Sequence, residues 1–169
     1  MNIFFLSRSP KEAAERHCDK HVVKMILEST QLLYSAHWVL NPDLIPVGAY
    51  KKTHINHPCS IWIRESVSNY LWLCSLAWYL CKEYQFRYGL HKVHKSESHI
   101  LWLLEHPPID IPHIGLTLPP QAMPDQYKQP NPVDGYQLYY IEDKFKRRSI
   151  VNYTKREWPQ FLLKTINNG

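Results

Sequence analysis

No stretch of this chain approaches the roughly 18–20 consecutive apolar residues of a membrane span, so no membrane partner is expected. The opening Met-Asn-Ile-Phe-Phe-Leu-Ser-Arg lacks the basic start and long apolar run of a secretory leader. No C-x-x-C pair occurs among Cys18, Cys59, Cys74 and Cys81. Each sits in a helix-like apolar pattern, where a reduced thiol behaves as a small hydrophobe. These absences predict a cytoplasmic or nucleoplasmic protein of its host cell, not a secreted one. Internal repeats and low-complexity tracts are also missing. With 44% hydrophobic and 21% charged residues, a disordered chain is excluded. At 169 residues a single core suffices for folding without a disulfide or metal staple, and no cofactor is expected.

What is present is basic and aromatic. Lys plus Arg number 20 against 15 Asp plus Glu, with ten His, six Trp and eleven Tyr besides. Four of the five net positive charges fall in residues 141–156, which hold six basic and two acidic side chains. A local basic patch among aromatics suits an anionic partner, and nucleic acid is the commonest. The expected partner is DNA or another nucleic acid, bound by a monomer.

The helix signals predict a mainly α, single-domain helical bundle. It has two long helices, a long Pro-rich loop and a short N-terminal arm. The arm covers 1–8, the helical core 9–106, the Pro-rich loop 107–132, and an aromatic and basic C-terminal segment 133–169. Ser9-Pro10-Lys11-Glu12 is a strong start with the pattern of a capping box, and nothing breaks the helix before about Val39. That gives one helix of roughly 30 residues, about 45 Å long. His57-Pro58 opens a second, apolar nearly all round, which runs unbroken to Tyr88 with Gly89 as its stop. A third covers Ser96 to His106. Eight of the 13 prolines then crowd between Pro107 and Pro132, a segment that is either a lid or a wrap on the bundle. A short aromatic helix is expected from Val133 to about Lys146.

On the first helix His17, His21, Lys24 and Glu28 fall at i, i+4, i+7 and i+11, one line down one face, with Lys20 beside it. Apolar neighbours flank this line, so its groups are expected to be half-buried, with shifted pKa values. A carboxylate beside an amine or imidazole can act as general acid or base, and a desolvated lysine can form a Schiff base. Two histidines at i, i+4 also have zinc-ligand spacing, so His17, His21, His54 and His57 form an alternative metal set. A structural Lys24–Glu28 pair is the plain reading of the same residues. Near the C-terminus, Tyr139 and Tyr140 are candidate base platforms, and Lys146, Arg147 and Arg148 candidate phosphate contacts.

The run Asp19-Lys20-His21, with Glu28 seven residues after the histidine and a short arm ahead of the helix, resembles the phage-type pyrimidine dimer DNA glycosylases of the endonuclease V family. The stretches His17–Met25, Asn56–Cys59 and Pro119–Asp125 look closer to an uncharacterised family of phage and large-virus proteins, a likeness that brings no activity with it. The glycosylase resemblance implies DNA repair by a glycosylase with AP lyase activity. By it Glu28 takes the place of the helix Glu, His21 that of the helix His, and the amine of Met1 that of the nucleophile, with Lys24 or Lys20 as the substitute amine. Arg16 and Lys20 would add charge for DNA. This sequence departs from the family at Asn2, where a small residue is usual, and at Leu27, where an Arg precedes the Glu. Two other functions fit the residues: a metal-assisted or acid–base hydrolase of nucleotides or nucleic acid, and a non-catalytic nucleic-acid-binding or virus–host interaction protein.

Overall fold

The computed structural model describes residues 2–169, and seven helices with no strand occur among them. Helix α1 (Pro10–Arg16) starts as the sequence predicts, with the Ser9 hydroxyl accepting from the Glu12 amide at 3.3 Å. Glu12 does not close the box onto Ser9; its carboxylate accepts from the Ser7 hydroxyl at 2.8 Å instead. The expected 30-residue helix is two. His17 and Cys18 are extended, and α2 (Asp19–Leu40) sets off anew.

No proline or glycine marks this break. It is held by groups from distant elements that take up the backbone atoms it frees. The buried Arg87 guanidinium donates to the His17 and Glu15 carbonyls at 2.8 and 3.0 Å, and the Asp19 amide donates to the Asn152 carbonyl.

The second expected helix is also split, into α3 (Pro58–Glu65) and α4 (Val67–Tyr88), with Ser66 extended between them. The Ser66 hydroxyl accepts from the Ser68 amide at 3.1 Å and is turned to the carbonyls of Ile114 and Gly115. Asn69 holds the same stretch through Trp62 and both the amide and the hydroxyl of Thr117. The Pro-rich segment is thus bonded along this joint. Ser66→Ala should lower stability by about 1–2 kcal/mol, since it removes a cap and the donor that ties the Pro-rich segment to this joint. Urea unfolding reads this directly, and an unchanged midpoint would refute the role given to Ser66.

Helix α4 is central. It packs on α1, α2, α3 and α5 (Glu97–Glu105), and ends at Gly89, whose φ of 127° few side chains tolerate. Helix α6 (Pro132–Tyr139) passes straight into a π-helical segment (Tyr140–Arg147), where one expected α-helix loosens its winding. A short helix the sequence reading omitted, α7 (Gln160–Asn167), closes the chain and buries Leu162.

The arm is the most apolar stretch of all. Ile3, Phe4, Phe5 and Leu6 are each 5% exposed or less, and Phe5 stacks on Trp72 at 4.1 Å. All four cysteines are buried free thiols. Among the described residues no helix is long and apolar enough to cross a membrane.

Candidate functional site

The break after Arg16 rotates His17 away from the line that the sequence predicts. Lys20, His21, Lys24 and Glu28 all belong to α2, so helical spacing keeps those four on one face. That face lies at the edge of the core: Val22, Met25 and Ile26 are buried behind it, while Val23 and Leu27 are about 40% exposed. The arm crosses it, and the Phe4 ring lies over the His21 ring at 4.4 Å, nearly parallel.

Together these elements and the π-helical segment enclose a cavity of about 290 Å³. Lys20, His21, Lys24 and Glu28 line one wall. Tyr139, Lys144 and Arg148 line another, and Asn2 and Phe4 of the arm a third. Four cations therefore face one lining carboxylate, Glu28, and the cavity attracts anions.

Lys24, Lys144 and Arg148 each have a carboxylate partner. Lys24 sits 3.2 Å from Glu28; its side chain is 59% exposed and that of Glu28 15%. Lys144 is buried, 2.9 Å from Asp143, and donates to the Tyr139 hydroxyl at 3.2 Å. Asp143 also meets Arg148 at 3.0 Å and Arg147. Burial works to raise the Asp143 carboxyl, but the hydrogen bonds and charges of Lys144, Arg147 and Arg148 outweigh it and hold it below the usual carboxylate range.

His21 is pushed down to about 2, first by burial and then by His17, Lys144, Lys24 and Lys20. It is therefore neutral. Its Nδ1 lies 2.6 Å from the Tyr140 hydroxyl, which leaves Nε2 as the nitrogen able to address the cavity.

The structure thus brings together six of the predicted residues: Glu28, His21, Lys24, Lys20, Tyr139 and Arg148. Met1 lies outside the described residues. Tyr140 is a correction. It is completely buried, bonded to His21 and to the Cys18 amide, so it positions a histidine and offers no face to a base.

Arg16 is elsewhere. It donates to the Leu6 carbonyl at 2.9 Å and borders a separate surface hollow with Trp158 and Lys164. Lys146 and Arg147 lie outside the cavity, paired with Glu142 and Asp143. Most cations of the basic patch are thus paired, and Arg156 likewise meets Glu83 and Glu15.

The metal set does not assemble. His17 is buried, with Nδ1 2.6 Å from the Ala13 carbonyl; His57 caps α3, and His54 is exposed beside Thr53. Among the described residues no three His, Cys, Asp or Glu side chains are grouped to hold an ion.

Sequence reasoning missed Lys144 as a cavity group and Asp143 as its buried partner, because regular helical winding gives no reason to turn them inward. It also missed Phe4 and Asn2. The apolar run of the arm was the available signal that it packs on the body.

Comparison of the chain with protein-family models, with curated proteins and with solved structures finds no match.

Proposed function

We propose that the cavity acts on the deoxyribose of DNA, as a DNA glycosylase with AP lyase activity that uses an amine and Glu28. The observation that carries this reading is the Lys24 amine 3.2 Å from the Glu28 carboxylate at the wall of a cationic cavity. Glu28 takes a proton from the ammonium, and the freed amine attacks C1′. The bond from C1′ to the base breaks, and the base leaves with the electron pair and gains the proton that the attached nitrogen loses. The C1′–O4′ bond then opens, the nitrogen lone pair forming the C=N bond of a protonated imine and O4′ taking the proton that Glu28 holds. Glu28 then removes a C2′ proton; the C3′–O bond breaks and the phosphate departs with its electrons. Lys20, Lys144 and Arg148 stabilise the phosphate charge.

The chemistry favoured is at the sugar. Tyr139 has Tyr127 against its ring at 5.3 Å and the Lys144 ammonium 4.5 Å from its centre, and Phe4 carries His21, so the aromatic rings here are already engaged. The same cations would serve a protein that only binds nucleic acid, and a covalent intermediate separates the two.

Borohydride reduction in the presence of abasic duplex DNA should trap a protein–DNA adduct. Glu28→Gln should slow trapping and strand cleavage by about 100-fold or more, the usual range for a lost general acid–base. Lys24→Ala should abolish the adduct; an adduct that persists would move the nucleophile to another amine. No adduct from the unaltered chain would remove the reading.

A further inference from the structure

A second cavity, of about 270 Å³, lies where α2 and α5 both end. Its walls are apolar: Leu44, Trp102, Pro107, Pro108 and Ile109. No carboxylate, lysine or arginine lines it, so neither a cation nor an anion finds a salt-bridge partner of those types there.

The polar lining residues are His37, Asn41 and His106, and of these His37 is the buried one. His37 is 2% exposed and forms part of the wall. Its Nε2 is 2.9 Å from the Tyr70 hydroxyl, and that hydroxyl spends its proton on the Leu103 carbonyl at 3.0 Å. Nε2 must therefore donate, so the proton is on Nε2 and Nδ1 is a bare acceptor. Nδ1 makes no hydrogen bond to any described residue. Burial also keeps the ring neutral.

The residues that cap α2 and α5, Asn41 and His106, line the same cavity, so two helix C-termini turn their partly negative ends toward it. The Asn41 side chain is already committed to Asp110 and the Ile109 amide, and the His106 Nδ1 to the Trp102 carbonyl.

We propose that this cavity binds a small, neutral, flat heteroaromatic molecule through one N–H donated to His37 Nδ1, its body against the Leu44, Ile109 and proline walls. An apolar cavity with a buried, unpaired acceptor in its wall selects for a donor, because a ligand without one leaves Nδ1 desolvated and unpaired. The site is separate from the cationic cavity and shares no lining residue with it.

Indole is the probe. It should bind saturably to the full chain by calorimetry and shift the His37 Nδ1 nitrogen resonance. Benzothiophene, of nearly the same shape but without the N–H, should bind about tenfold more weakly, as loss of one ordinary hydrogen bond requires. Leu44→Trp, at a half-exposed turn position, should fill the cavity and abolish indole binding while the chain keeps its unfolding midpoint. No indole binding, equal binding of the two probes, or undiminished binding to Leu44→Trp would each overturn the proposal.

Discussion

Replacing Arg87 by methionine should cost about 3–5 kcal/mol of stability, from a broken buried ion pair and two carbonyls left without their donor. The guanidinium is 2% exposed and is the common partner of three elements. Its Nε meets Glu83 at 3.0 Å within α4, and its Nη1 meets Asp19 at 3.1 Å at the start of α2. The remaining donors hold the carbonyls at the end of α1. Methionine fills similar volume but offers no donor. Glu83 keeps Arg156 and Asp19 keeps Thr154, so neither carboxylate is wholly stranded, but both Glu15 and His17 carbonyls are. Arg87→Lys should also be destabilised, since one ammonium cannot span all three helices, yet it retains the charge and should lose less. Urea unfolding of both variants checks this order. A methionine variant within about 1 kcal/mol of the unaltered protein would show that the break after Arg16 does not depend on this residue.

That break explains where the sequence was legible and where it was not. Helix starts at Ser9-Pro10 and His57-Pro58, and the stop at Gly89, are written locally, in residues whose side chain or ring acts within one turn. Interruptions at His17-Cys18 and Ser66 are not. Their neighbours are compatible with continued helix, and the groups that make an extended backbone favourable come from α4 and from the Pro-rich segment, dozens of residues away. The candidate site divides in the same way. Lys20, His21, Lys24 and Glu28 share an unbroken helix, so counting by 3.6 places them correctly. His17 falls on the wrong side of the break and leaves the line. The π-helical winding after Tyr139 defeats the same count, burying Lys144 and Asp143 and bringing Arg148 to the cavity while Lys146 and Arg147 stay outside. Pattern reading also sees six cations in residues 141–156 but not the carboxylates that Glu83 and Glu15 bring to them from α4 and α1.

Acid should unfold this protein well before its carboxylates are protonated. Burial holds His17 and His37 down to about 4, and burial with the surrounding cations holds His21 down to about 2, against 6.5 for a free histidine. Each is therefore neutral in the folded protein and protonated in the unfolded chain once the pH falls below about 6.5. Above that pH both states are neutral and the groups contribute nothing. As pH falls below it the unfolded state binds more protons, and stability drops by about 1.4 kcal/mol per pH unit for each histidine. The decline ends near pH 4 for His17 and His37 and continues below it for His21. Asp143 has the opposite timing: its lowered carboxyl stabilises the fold above the free carboxylate value and is lost only as pH falls further. Between pH 6 and 4.5 the slope therefore belongs to histidines. Unfolding midpoints in urea across that range should report an uptake of about three protons or more, since His57 and His94, also lowered by burial, act in the same direction. His37→Gln keeps an amide able to donate to Tyr70 and should remove about one proton from that uptake. Stability that stays level from pH 7 to 5 would mean that the buried rings are protonated in the native state, which their burial and the lysines around His21 oppose.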